Sequence, residues 1–120
     1  MSYHRLLVYQ KSCALALEVH KMSLSFPKIE QYGLGDQLRR STKSIPGNIA
    51  EGMGKQASQA EVVRFMRMAM GSCDENRVWL SFAKDLAYID EKVYEHYELG
   101  YQEVGRMLRG LMQRYVEGKP

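Results

Sequence analysis

One seam of residues in the second half of the chain dictates much of what the chain can become. Val62, Met66, Ala69, Cys73, Asn76, Leu80, Ala83 and Ala87 follow one another at alternating steps of four and three. Phe65, Trp79 and Leu86 widen this stripe. A stripe kept up for about three and a half heptads describes one long helix packed on more than one neighbour. Ser58-Gln-Ala-Glu61 sets its start, because the serine and glutamate of a capping box satisfy each other's orphan backbone donors. The rest of the chain must supply the helices that cover it.

Three further segments fit that role. Val8, Ser12, Leu15, Val19, Met22 and Phe26 predict a first helix from about Leu6 to Leu24, ended by Phe26-Pro27. A second is expected to begin between Glu30 and Gly33 and to stop at Gly52 and Gly54, which suit a left-handed C-terminal cap. A fourth opens at Asp90 as N-cap and carries Tyr94, Tyr97, Tyr101, Val104, Leu108, Leu111 and Tyr115. Joints this short imply antiparallel neighbours, so the expected fold is a single all-α domain over 1–120, an up-down-up-down four-helix bundle. With 120 residues, 45% of them apolar and 26% charged, one core is affordable. No apolar run approaches the length of a membrane span and no cleavable leader is visible, so a cytoplasmic protein is expected. Cys13 and Cys73 fall on apolar stripes and read as two buried thiols.

The second helix carries an unusual burden. Leu34, Leu38, Ile45 and Ile49 recur at helical spacing, yet Pro46 sits among them, removing the N–H owed to the Thr42 carbonyl and crowding it. That costs about 3 kcal/mol in an ordinary helix interior and predicts a bend. Ser44 and Asn48 are placed to satisfy backbone groups freed by the proline. Arg40 and Glu51 return to one helical face after three turns, and could pair across a subunit boundary.

The run from Gln37 to Gly52, with Ser44, Pro46, Asn48, Glu51 and Gly52 as its structural elements, is preceded by Tyr32-Gly33-Leu34 and followed later by Gly71-Ser72. This order resembles the signature of a bacterial four-helix bundle family whose founding members are encoded in intervening sequences of large-subunit ribosomal RNA genes. Tyr9-Gln10-Lys11 stands where that family usually has Trp-Gln-Lys, and Glu61, Phe65, Ala69, Gly71, Ser72, Glu75 and Ala83-Lys84-Asp85-Leu86 match its pattern. The chain departs at Gly47, often serine, at Asn76, often leucine, and at Ala87, often glycine. An asparagine on a heptad seam can fix register and oligomer state; alternatively Asn76 lies at the seam's edge. The resemblance implies a homo-oligomer, a ring of five, with nucleic acid as partner. A related bundle protein partners a reverse transcriptase in diversity-generating retroelements. No reaction is implied.

The residues themselves offer little for catalysis. Neither His20 nor His96 has a glutamate three residues before it, so the Glu-x-x-His motif of di-iron bundles is missing, and no nucleophile elbow or phosphate loop occurs. Glu91, Glu95 and Glu98 are best explained by the helix dipole, although one face of this kind can also attract a hard cation. The net charge of +3 is uneven. Residues 1–55 hold eight Lys or Arg against four Asp or Glu. Arg39, Arg40 and Lys43 gather within one helical turn, flanked by Lys28 and Lys55, a grouping able to contact several phosphates; Arg106 and Arg109 could extend it. A solvated face is the plainer reading of the same charges. Gly100, Gly105 and Gly110 imply a close approach to the last helix, by another helix or by another subunit. The expectation is a non-enzymatic oligomer without cofactor or metal that binds RNA or DNA weakly through the phosphate backbone. The competing class is a protein-interaction scaffold.

Overall fold

The computed structural model describes residues 2–54 and 58–118. Four helices carry the fold: α1 Leu7–Ser23, α2 Leu34–Met53, α3 Gln59–Asp85 and α4 Glu91–Val116. Short 3₁₀ turns stand at Tyr3–Arg5 and Lys28–Glu30, and no strand occurs among the described residues. Ser58 accepts from the Glu61 N–H at 3.2 Å as the capping box requires, and Asp90 accepts from the Val93 N–H at 2.8 Å.

The paired residues run in opposite directions on neighbouring helices. Ser41 meets Asn76 and Ser44 meets Ser72 between α2 and α3; Cys73 meets Tyr101 and Arg77 meets Glu98 between α3 and α4. Lys11 meets Glu103 and Glu18 meets His96 between α1 and α4. Each helix therefore packs on the next, with α4 returning to α1 at far fewer points than α2 has with α3. The bundle measures 46 × 23 × 20 Å.

The core follows the seams. Val8, Leu15, Val19, Leu38, Ile45, Ile49, Met66, Leu80, Tyr101, Val104 and Leu108 are all buried. Through its middle runs a polar layer. Ser41 donates to Asn76 Oδ1 at 2.9 Å, the Thr42 and Tyr101 hydroxyls bond one another, and the Cys73 thiol donates to the Tyr101 carbonyl at 3.3 Å. Burial pushes Cys73 up to about 11, so the thiol keeps its proton. The same burial raises the Tyr101 phenol further, against the opposing bond from Thr42. Asn76 is fully buried, so it belongs to the seam and not to its edge, with its partner Ser41 in the same chain; its Nδ2 finds no acceptor among the described residues.

Several local expectations need correction. α2 does not stop in a left-handed glycine cap: it runs through Gly52 to Met53, and Gly54 has φ −83°. Gly52 is small for another reason, since a Cβ there would lie 2.7 Å from Phe65 Cβ. The left-handed residue is instead Ala87, at φ 63°. It ends α3 in a Schellman arrangement, with Ala87 N–H bonded to Lys84 O at 2.9 Å and Tyr88 N–H to Ala83 O at 2.8 Å. Ala87 and Leu86 therefore lie beyond the packed seam and are exposed. Cys13 is half-buried, unlike Cys73.

Candidate nucleic-acid interface

α2 is continuous from Leu34 to Met53 through Pro46. Asn48 Nδ2 donates to the Ser44 carbonyl at 2.8 Å and to the Ser44 hydroxyl at 3.0 Å, and that hydroxyl bonds Ser72 on α3 at 2.8 Å. Ser44 and Asn48 thus brace the turn around the proline and tie it to α3. The carbonyl Pro46 leaves without its donor is that of Thr42, which neither side chain reaches. Gly47 and Gly71 stand at the level of this tie, and a Cβ on either would meet nothing within 4 Å.

The basic residues do not form one face. Arg39 is spent on the fold: its guanidinium donates to Ser23 Oγ at 2.8 Å and to the Gln31 carbonyl at 2.5 Å, clamping the end of α1 to the turn before α2. Arg40 is exposed and pairs with Asp36 one turn earlier at 2.8 Å, while Glu51 is exposed without an ion-pair partner among the described residues. Lys28 and Lys43 are exposed, and neither takes part in a salt bridge among the described residues. Lys55 lies outside the described residues. Arg106 and Arg109 line a groove of about 180 Å³ between α3 and α4, together with Arg77. Lys43 instead borders the groove between α1 and α2. Those two grooves lie on opposite sides of a bundle in which each helix packs on the next, so Arg106 and Arg109 do not extend the basic grouping of α2.

Sequence reasoning missed two electrostatic features. Glu98, assigned to the acidic first turns of the last helix, is a half-buried acceptor: Arg77 binds it through Nη2 at 2.5 Å and Nε at 2.6 Å, and Tyr94 donates to it at 3.0 Å. That bond from Glu98 holds the Arg77 guanidinium above its ordinary range, against the effect of burial. Both residues sit one position off a seam, where facing helices place their flanking charges, and that was the available signal. The second feature is His20, whose Nδ1 is buried without a partner among the described residues. Burial, with Lys43 and Arg39 nearby, holds its imidazole below the usual range.

Of the glycines in α4, Gly100 receives a close approach from inside the chain: Leu15 Cδ2 lies 3.0 Å from where a Cβ would stand. Nothing in the chain approaches Gly105 or Gly110 within 4 Å. No group of three His, Cys, Asp or Glu able to hold a metal ion occurs among the described residues, and no helix there is long and apolar enough to cross a membrane.

A family model described as 23S rRNA-intervening sequence protein matches residues 4–110. A crystal structure of a protein of unknown function from the S23 ribosomal protein family of Bacteroides thetaiotaomicron superposes with a TM-score of 0.82 at 22% identity, covering 94% of this chain and 99% of that one. At that identity the likeness concerns the fold alone. No curated protein matches the chain.

Proposed function

The chain belongs to the 23S rRNA-intervening sequence protein family, and from that membership we propose a non-enzymatic oligomer that binds RNA weakly through the phosphate backbone. The observation that supports this most is the exposure of the cations before α2 and along its first half, Lys28, Arg40 and Lys43, two of them without an acidic partner among the described residues. Unpaired surface lysines displace counterions from a nucleic acid without reading its sequence. The glycines left open at Gly105 and Gly110 leave room for a neighbouring subunit, and a ring of five is the assembly we propose. A ring would repeat the small cationic group and raise avidity without any new contact. The proposed setting is the cytoplasm.

The test is RNA binding by the purified protein at two salt concentrations, with its mass followed by light scattering. Changing Lys28, Arg40 and Lys43 together to glutamate should abolish binding. Restoring charge one residue at a time should raise the slope of log affinity against log salt by about 0.7 per phosphate regained. Unaltered affinity in the triple variant rules out the electrostatic reading. A second reading, a protein scaffold, is favoured by the apolar outer stripe of α3, where Met68, Val78, Phe82 and Leu86 are between 45% and 51% exposed. An oligomer indifferent to RNA at both salt concentrations favours that reading.

A further inference from the structure

Two helices at opposite corners of the bundle carry a second seam that nothing among the described residues covers. On α1 the steps from Leu7 through Gln10, Ala14, Leu17 and Lys21 to Leu24 alternate three and four. All six residues are exposed, the leucines by 58–70%. On α3 the run Met68, Gly71, Glu75, Val78 and Phe82 repeats those steps in the same order, Leu86 continues it, and every one of these residues is exposed as well. At 1.5 Å per residue each seam is about 26 Å long. α2 and α4 separate α1 from α3, which do not touch, so the two seams face away from one another.

The seams also stand at the same height. Leu15 packs over Gly100 on one side of α4 while the Cys73 thiol bonds the Tyr101 carbonyl on the other; further along, Glu18 meets His96 and Arg77 meets Glu98. α1 and α3 run in the same direction, so these links set Leu7 level with Met68, Leu17 with Val78 and Lys21 with Phe82. Small residues answer larger ones at the levels between: Gly71 stands level with Gln10, and Ala14 with Glu75. Each seam carries one charge without an ion-pair partner among the described residues, Lys21 on α1 and Glu75 on α3, opposite in sign. Pairing α3 with a second α3 would instead bring two Glu75 carboxylates together near the middle of one interface, and like charges set face to face are costly.

We propose that α1 of one copy packs in parallel along α3 of the next, Leu7 against Met68, Leu17 against Val78, and Lys21 over the ring of Phe82. The contact uses two different faces and is therefore heterologous; repeated at constant height around an axis parallel to the helices, it closes into a ring and not a filament. The assignment rests on the oligomer reading above and gives that ring its interface. The α3 stripe is then covered by this chain itself, which removes it as a surface for a foreign partner.

The experiment is light scattering with circular dichroism on the full chain, for the parent, Leu17→Glu and Val78→Glu, at a concentration well above that at which the parent assembles. Leu17 and Val78 are 64% and 49% exposed, so each variant should keep the helical spectrum of the parent while its mass falls to that of a single chain. Mixed in equal amounts, the two should give a dimer, because the intact α1 of one meets the intact α3 of the other while the remaining faces both carry glutamate. Should Leu17→Glu not fold, Leu24→Glu takes its place, since Leu24 is 58% exposed on the same seam. A mixture that stays at the mass of one chain overturns the pairing. Loss of mass in Val78→Glu alone makes the contact one between two α3 faces and overturns it too. An oligomer unmoved by either variant overturns this contact and leaves a ring built on other faces. A parent with the mass of one chain overturns the contact and the ring together. Lys28, Arg40 and Lys43 lie off both seams, so the phosphate reading stands or falls by RNA affinity and not by these masses.

Discussion

Replacing Ala87 by glycine should stabilise the protein. Ala87 holds φ 63° at the end of α3, where a Cβ is crowded against the following carbonyl oxygen at a cost of about 1–2 kcal/mol. Glycine removes that cost, and returns about 0.5–1 kcal/mol of it through the greater freedom of the unfolded chain. The residue is exposed, so no packing is lost, and both Schellman bonds use backbone atoms that glycine keeps. The net gain is about 0.5–1 kcal/mol, or a rise of about 2–6 °C in Tm for a chain of this size. Urea titration followed by circular dichroism would measure it, with an unchanged m-value showing that the unfolded reference has not shifted. Leu86→Gly is the control: Leu86 has φ −84°, needs no left-handed freedom, and should lose stability with the same change. A Tm for Ala87→Gly equal to or below that of the parent would refute the reasoning, because it would mean that no strain is stored there.

Gly52→Ala should go the other way, by about 1–3 kcal/mol in the same titration, because its new methyl must displace the Phe65 Cβ that stands 2.7 Å from it; a neutral result would show that α2 and α3 can part without cost. Acidification should weaken the fold through His20. Its folded pKa is lowered, so the unfolded chain takes up a proton first, and stability should fall as pH drops below about 6.5 until the folded imidazole titrates too. Denaturation midpoints across that range would show a shallower dependence in His20→Phe, and an identical slope in both proteins would exclude His20 as the source.

The four helices were legible because each carries a repeating seam, and repetition survives ignorance of neighbours. Val19, Met66, Leu80 and Val104 are buried where period alone puts them. Caps that act within four residues, at Ser58 and Asp90, were legible for the same reason. What escaped depends on residues far apart in sequence. Gly52 reads as a helix stop until Phe65 is set against it, and Ala87 reads as a seam residue because a left-handed turn is invisible in an alanine. Arg39 looked like Arg40 in the sequence; only the nearness of Ser23 and Gln31 shows that one is a clamp and the other is surface. The basic residues of α2 and α4 could be counted but not placed, since their separation depends on which grooves the helices border.

The polar layer has a kinetic meaning as well. α4 follows the other three helices from the ribosome and could dock a heptad out of place, since its tyrosines and leucines fill similar volumes. In one such slip Leu108 would face Thr42, leaving a buried hydroxyl unbonded at a cost of about 1–3 kcal/mol. That slip removes both the ring that fills the space and the hydroxyl that meets Thr42, so a docking with Leu108 in the place of Tyr101 stays shallow and comes apart quickly. The layer would in this way act as proofreading during synthesis, discarding the slipped bundle before it can persist.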